Sequence, residues 1–394
     1  MTLSNFSVSK AVRRMQPSAT LAAAAVAAEL KSSGADVIDL SIGEPDFDTP
    51  EHIKNYAIEA LRGGITKYTP TAGLKSLQKA IIGFYEREFG TTFGANQIMA
   101  TVGGKQAIFN AVLALVNADD EVLLHQPYWV SFPEIVNFTG AKIVEIETEA
   151  TNFVLTAEAV KRRITDKTKL IIINSPGNPS GRVIPADEFR RIVEICAEHN
   201  VYVVSDECYL KFVYPPAEVF STASLPKELQ HFVCIAGTFS KTLAMTGWRV
   251  GYTIANPEWT AGMAKLQSHS TSHPTSFAQE ACALALDNWD QTNWALGQML
   301  VEYSRRRAFL IPALNELGLP CEMPEGAFYA FPNVRGCFNE QIKTSADFAD
   351  LLLKEAHIVT TDGAGFGVEG FVRFSYAAKY ERLQEAIERI RRVI

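Results

Sequence analysis

TFSKTLAMTGWR, residues Thr238 to Arg249, is the stretch on which the reading of the fold turns. It holds one lysine, Lys241, and an arginine, Arg249, eight residues later. Hydroxyls at Thr238 and Ser240 flank the lysine, and Gly247 lies close before the arginine. An apolar run, Phe232 to Ile235, leads in, and Val250 to Ile254 leads out. A buried strand that delivers a lysine and a phosphate-sized set of donors to one loop suits an aldehyde cofactor carrying a phosphate. The amine can condense with the aldehyde, while hydroxyls and guanidinium hold a dianion. The same residues also suit an ordinary loop with a solvated lysine and arginine, so the choice rests on other segments.

Those segments repeat one pattern. Ile98 to Val102, Glu121 to His125, Lys142 to Glu147, Lys169 to Asn174 and Val201 to Ser205 read as short apolar strands. Helical periodicity separates several of them, as over residues 103–116, 129–138 and 186–199. Continuous apolar strands alternating with helices predict an α/β fold with a mainly parallel sheet covered on both faces. Ligands on such sheets bind beyond the carboxyl ends of the strands. The polar loops 103–106, 126–129, 174–181, 206–209 and 238–249 all fall at that end. Long helices follow from about residue 275 to 317. Strands at Ala327 to Phe331 and Gly370 to Tyr376 and a last helix from Tyr380 then predict a smaller α+β domain. The division expected is a large domain over 46–290 and a small one formed by 1–45 with 291–394. Short strand VIDLSI (37–42) and helices over 51–62 and 74–89 complete the N-terminal part.

Composition narrows the function. The 394 residues are 47% hydrophobic and carry a formal charge of −7 with no basic block, so nucleic acid is not an expected partner. Cys196, Cys208, Cys234, Cys282, Cys321 and Cys337 are scattered without metal spacing and read as reduced thiols, which suggests the cytoplasm. Arg13 and Arg14 before the apolar run Leu21 to Ala28 resemble a weak export signal, but the run is short and closed by Glu29 and Lys31. A helix capped around Ser18 or Thr20 fits better. No apolar stretch approaches a membrane span of about 20 residues.

Each motif has a bland alternative. Gly103-Gly104-Lys105 between a strand and a helix offers free amides to an anion, or is a plain turn. Asp206 ends an apolar strand, where a carboxylate is costly without a charged partner. A protonated pyridine nitrogen would serve, with the Tyr209 phenol beside the same ring; a helix N-cap is the other reading. NSPGNPSG, Asn174 to Gly181, is turn-forming on composition, yet Asn178 can donate to a phenolate or carboxylate. Trp129 can stack on a flat ring or belong to the core. Arg373, inside the apolar strand Phe371 to Tyr376, calls for a bidentate carboxylate partner, from a ligand or a structural ion pair. GFGVEG (365–370) matches a dinucleotide fingerprint literally, but a strand follows it instead of a helix, so that reading fails. His269 and His273 share i, i+4 spacing, but Pro274 disfavours a helix there and no metal site is expected.

In order and spacing, GEPDF, KYTPTAG, GGKQ, PYW, NSPGNPSG, SDECY, SK, the arginine eight beyond Lys241, and VRFSYA resemble the class I aminotransferases of the fold-type I pyridoxal-phosphate enzymes. Within that class the chain is most similar to the bacterial aspartate aminotransferase subgroup with PSAT and GGKQ segments, some of whose members also act on prephenate. The resemblance implies pyridoxal 5'-phosphate held by Lys241, which then shuttles a proton. It implies Asp206 on the pyridine nitrogen, Tyr209 and Asn178 on the ring oxygen and Trp129 on the ring face. Gly104, Lys105, Thr238, Ser240 and Arg249 would hold the phosphate, with Tyr68 reaching it from the other subunit of a homodimer with shared sites. Arg373, Asn178 and the Gly43 backbone would hold the substrate α-carboxylate, and Lys105 the distal carboxylate of aspartate or glutamate. Ser18 and Thr20 would close over the substrate. Gln16 stands where relatives that accept prephenate often carry lysine. A carbon–sulfur lyase on the same fold is the competing activity. A regulator built on this module would need a DNA-binding domain for which the N-terminal residues have no room.

Overall fold

The structure is a computed structural model and describes residues 7–17, 19–32 and 34–394. Its strands, in chain order, are β1 (Ile38–Asp39), β2 (Ile98–Thr101), β3 (Glu121–His125), β4 (Lys142–Ile146), β5 (Thr168–Asn174), β6 (Tyr202–Asp206), β7 (Val233–Thr238), β8 (Gly251–Ile254), β9 (Tyr329–Ala330), β10 (Ile358–Val359), β11 (Thr361–Asp362) and β12 (Val372–Ser375). Seven of them form one sheet in the order β2-β8-β7-β6-β5-β3-β4. The neighbours from β7 to β4 pair in parallel. Only β8 runs against both its neighbours.

The exception has a local cause. The chain leaves β7 at Thr238, makes the lysine loop and re-enters the sheet directly, without the crossover helix that a parallel return needs. Thr238 and Gly251 end up as register partners. Gly251 is required there, because a Cβ would come within 2.7 Å of the Gly103 backbone.

Side chains on alternate strand positions enter two cores, one on each face. Leu123, Ile171, Val203 and Ile235 join the larger cluster; Val122, Leu124, Leu170, Ile172, Val204 and Cys234 join the second. This is the two-sided burial that the apolar strands predict. Each such leucine or isoleucine stabilises the fold by about 1.5–3 kcal/mol on burial. The helix Gly103–Leu113 packs on β7 and β8, which fixes its N-terminus beside the lysine loop.

The rest of the chain builds two small sheets, β1-β10 and β11-β12-β9. β1 pairs in parallel with β10, and the Ser375 amide donates to the Leu40 carbonyl, so the N-terminal segment is stitched to the C-terminal part. The 28-residue helix Trp289–Glu316 holds the GEPDF turn through Arg306, which pairs with Asp46 at 2.8 Å.

Two 12-residue helices, Pro257–Ser268 and Ser345–Ala356, are not expected from the sequence, nor are the short ones at Lys10–Arg13, Ala157–Lys161 and Lys227–Gln230. Both longer ones are capped by their own sequence. The Asn256 side chain accepts from the Trp259 amide, and Thr344 forms a reciprocal box with Asp347. The glycines of GFGVEG lie between β11 and β12, in a turn that runs into a strand. The expected N-terminal helix spans Ala19–Ser32, but Ser18 and the Thr20 side chain lie outside the described residues. Among the described residues, no helix is long and apolar enough to cross a membrane.

Candidate active site

One cavity of about 390 Å³ gathers the site residues expected from the sequence except Tyr68 and the N-terminal Ser18 and Thr20; Ser18 and the Thr20 side chain lie outside what the structure describes. Seven parts of the fold contribute to it, among them the loop after β3, which gives Trp129. Residues 41–44 come from the N-terminal segment, Gly104 and Lys105 from a helix start, and Asn178 from the turn after β5. Asp206 ends β6 and Cys208 and Tyr209 follow it, the end of β7 and the loop after it give Thr238 to Arg249, and the small sheet gives Tyr329 and Arg373. A larger, more open groove of about 550 Å³ adjoins at Glu44 and Thr246, but no lysine, arginine or histidine lines it among the described residues.

Asp206 is the last residue of β6 and is buried. Its carboxylate accepts from the Cys208 amide at 3.1 Å and so caps a turn; the helix that the alternative N-cap reading required does not follow it. Among the described residues it forms no ion pair. Burial therefore raises its pKa from 3.8 to about 6, with the neighbouring Glu207 carboxylate adding to the rise and Lys241 opposing it. Asn174 fixes the surroundings: its amide donates to the Asp206 carbonyl at 3.0 Å, and its oxygen accepts from the Asn178 amide at 2.8 Å.

The Lys241 amine donates to the Gly43 carbonyl. Burial lowers its pKa, which favours a neutral, nucleophilic amine. Beside it lies a cradle. Gly103 adopts φ +76°, and a Cβ there would meet the Arg249 guanidinium at 2.5 Å. Arg249 itself is held in the left-handed region at φ 56°, a strain of about 1 kcal/mol or more for a residue with a side chain. Its guanidinium donates to the Thr246 carbonyl at 2.9 Å. The Thr238 and Ser240 hydroxyls are bonded to each other at 3.0 Å, and the first amides of the helix Gly103–Leu113 have no intrahelical acceptor. Donors, a helix N-terminus and a guanidinium thus converge on one point, the arrangement that binds a dianion.

Arg373 is 1% exposed, in the middle of β12. The structural ion pair weighed for it is not present among the described residues. Its guanidinium instead donates to the Asn178 side-chain oxygen at 3.0 Å and to the Ser41 carbonyl at 2.5 Å. It lies over the rings of Tyr329 and Phe366, 4.6 and 5.0 Å from their centroids, and its Nε has no partner. A buried cation without an anion leaves room for a carboxylate.

The Lys105 amine sits over the Trp129 ring at 4.9 Å. The residue as a whole is exposed, yet crowding around the amine, and then the nearby Arg249 charge, lowers its pKa. Tyr68, by contrast, is 93% exposed and stands apart from the cavity, its ring edge-on to His273. Ser41, Asn174, Cys208 and Tyr329 belong to the site without having been expected in it. Asn174 had a signal, since it ends an apolar strand before the turn; Tyr329 had none, because an aromatic in AFYAF reads as core.

The family model for aminotransferase class I and II matches residues 35–390. A probable aspartate/prephenate aminotransferase of Aquifex aeolicus is 39% identical over 97% of both chains. An aspartate aminotransferase of Bacillus sp. strain YM-2 is 40% identical over 97% of this chain and 98% of its own. Among solved structures, the aspartate aminotransferase of Thermus thermophilus with maleate superposes with a TM-score of 0.94 at 39% identity, covering 99% of this chain and all of the other.

Proposed function

The chain belongs to the class I and II aminotransferases, and from that premise we propose that it moves the amino group of aspartate or glutamate to 2-oxoglutarate or oxaloacetate. One observation carries the reading. A buried carboxylate without a cation, a buried guanidinium without an anion, and a lysine amine of lowered pKa share one cavity.

Pyridoxal 5'-phosphate is the family's cofactor, and the residues present fit it. Asp206 offers the counter-charge for a protonated pyridine nitrogen. Tyr209 would donate to the ring oxygen, as would the side-chain amide of Asn178, whose own oxygen is taken by Arg373. Trp129 supplies a ring face. The cradle of Gly104, Lys105, Thr238, Ser240 and Arg249 would hold the phosphate. Bound there, the cofactor supplies an electron sink for the bond broken at the substrate α-carbon. The protein's own part is to orient and to move protons. Arg373, Asn178 and the Gly43 backbone hold the α-carboxylate, and Lys241 takes the proton from the α-carbon and returns it elsewhere. Lys105 reads the distal carboxylate. Two half-reactions share the site, so the kinetics are ping-pong.

The exposed Tyr68 is read as the residue that a second copy lends to the phosphate, which makes the active form a homodimer; the setting is cytoplasmic. The chain divides into a large domain, 46–290, and a small one from 1–45 and 291–394, with the substrate between them.

A panel of amino donors against 2-oxoglutarate and oxaloacetate tests the proposal. Aspartate and glutamate are expected to exceed alanine and phenylalanine in kcat/KM. Pyruvate and ammonia released from cystathionine, with no amino transfer, would overturn it in favour of a carbon–sulfur lyase.

A further inference from the structure

Tyr329 has no part in the scheme above, yet it touches three members of it. Its hydroxyl lies 2.7 Å from the Tyr209 hydroxyl, its ring supports the Arg373 guanidinium at 4.6 Å, and it lines the cavity. A Cβ on residue 43 would come within 3.0 Å of its oxygen, so the Gly43 backbone is packed against it as well. It is fully buried on β9, in register with Ser375 on β12.

Proton counting fixes how the two phenols must be arranged. Each carries a single proton. Burial pushes the Tyr209 phenol well above its ordinary value and the Tyr329 phenol up to about 12, so both are neutral near pH 7. A 2.7 Å contact between two neutral hydroxyls consumes one of the two protons. If Tyr209 gives its proton to the ring oxygen of the cofactor, the Tyr209–Tyr329 bond has to be made with the proton of Tyr329. We infer that Tyr329 is a positioning residue: its hydroxyl donates to the Tyr209 oxygen, aims the Tyr209 proton at the cofactor ring and strengthens it as a donor. This rests on the reading proposed for the site. The strengthening follows from polarisation along a chain of hydrogen bonds in a dry environment. The Tyr329 ring is a separate part, occupied with Arg373.

The two parts can be separated. Tyr329→Phe in the holoenzyme removes the hydroxyl and leaves the ring under Arg373. A hydrogen bond to the ring oxygen favours the deprotonated form of the cofactor bound to Lys241, so a weaker donor moves the midpoint of its visible pH titration upward. The expected rise is about 0.5–1 pH unit, the size of one hydrogen bond's net contribution. The affinity for maleate, a dicarboxylate with no amino group to transfer, is expected to stay within about twofold, because the aromatic face over which the guanidinium lies is retained. Tyr209→Phe sets the scale, with a rise at least as large. An unmoved midpoint in Tyr329→Phe beside a moved one in Tyr209→Phe overturns the inference, since Tyr329 is then not the donor. A midpoint that moves together with a weakened maleate affinity also overturns it, because the change is then a general disturbance of the site. A wild-type protein without a visible band dependent on Lys241 would instead sink the reading of the site, and this inference with it.

Discussion

Asp206 and Arg373 are both buried ions without a counter-ion, but they meet that condition differently. Asp206 stands at the end of a strand in the large sheet, where the Cys208 backbone amide donates to it. Its pKa rises to about 6, so a carboxyl left alone can take up a proton and escape the penalty of burial. Arg373 has no such escape, because a guanidinium stays charged in a protein. It is accordingly wrapped in a side-chain amide oxygen, a carbonyl and two ring faces. The contrast shows that one ionic seat was left sparse and adjustable while the other was prebuilt. Neither is explained by stability, since unpaired buried ions oppose folding.

The sharpest way to break this pairing is to remove the amine that shares the cavity. Lys241→Ala is expected to abolish turnover and the visible absorbance of the holoenzyme. If wild-type transamination persists in that variant, the two ions do not serve one lysine-dependent reaction.

Asp206→Ala separates function from folding. Its rate should fall at least ~10²-fold, by analogy with loss of a preorganised electrostatic group. Its cofactor-free form should become more stable than the wild type above about pH 6. The sign follows from the raised pKa: the ionised native carboxylate is penalised above about 6, and the penalty lifts as pH falls toward 3.8. The rise corresponds to a gain on the order of 3 kcal/mol at neutral pH, shrinking on acidification. Arg373→Gln should show no such pH-dependent gain. Urea unfolding of the three proteins at pH 4.5 and 7.5 (conditions of about those values) would decide; parallel pH profiles for the two variants would erase the contrast.

The smallest effect is the most selective. Lys105→Ala should lower kcat/KM for aspartate by very roughly 10², the size of a lost partner in a buried charge pair, and affect alanine or phenylalanine much less. Equal losses for acidic and neutral donors would confine Lys105 to the phosphate.

Much of this architecture is legible in the sequence for a physical reason. Strands buried on both faces cannot alternate, so β3, β5 and β6 appear as bare apolar runs, and the ligand loops follow from where those runs stop. The direction of β8 is not legible, because direction depends on how the chain returns and not on what the strand contains. The helices Pro257–Ser268 and Ser345–Ala356 were signalled by Asn256 and Thr344 rather than by their apolar pattern. In the site, charged residues in apolar settings announce themselves, as Asp206 and Arg373 do. Tyr329 stays hidden, because its role comes from a hydroxyl contact to a residue 120 positions away.

The bond from Arg373 to the Ser41 carbonyl spans 332 residues. During translation, the segment carrying Asp206 and Lys241 and the returning strand β8 therefore emerge well before Arg373 does. At about 5–20 residues per second, the interval is on the order of 10 s. Through that interval Asp206 and Lys241 are already synthesised while Arg373 is not, and residues 38–41 lack the late strands with which they pair. The residues that one subunit is proposed to lend to the cofactor are thus synthesised before the arginine proposed to hold the substrate carboxylate.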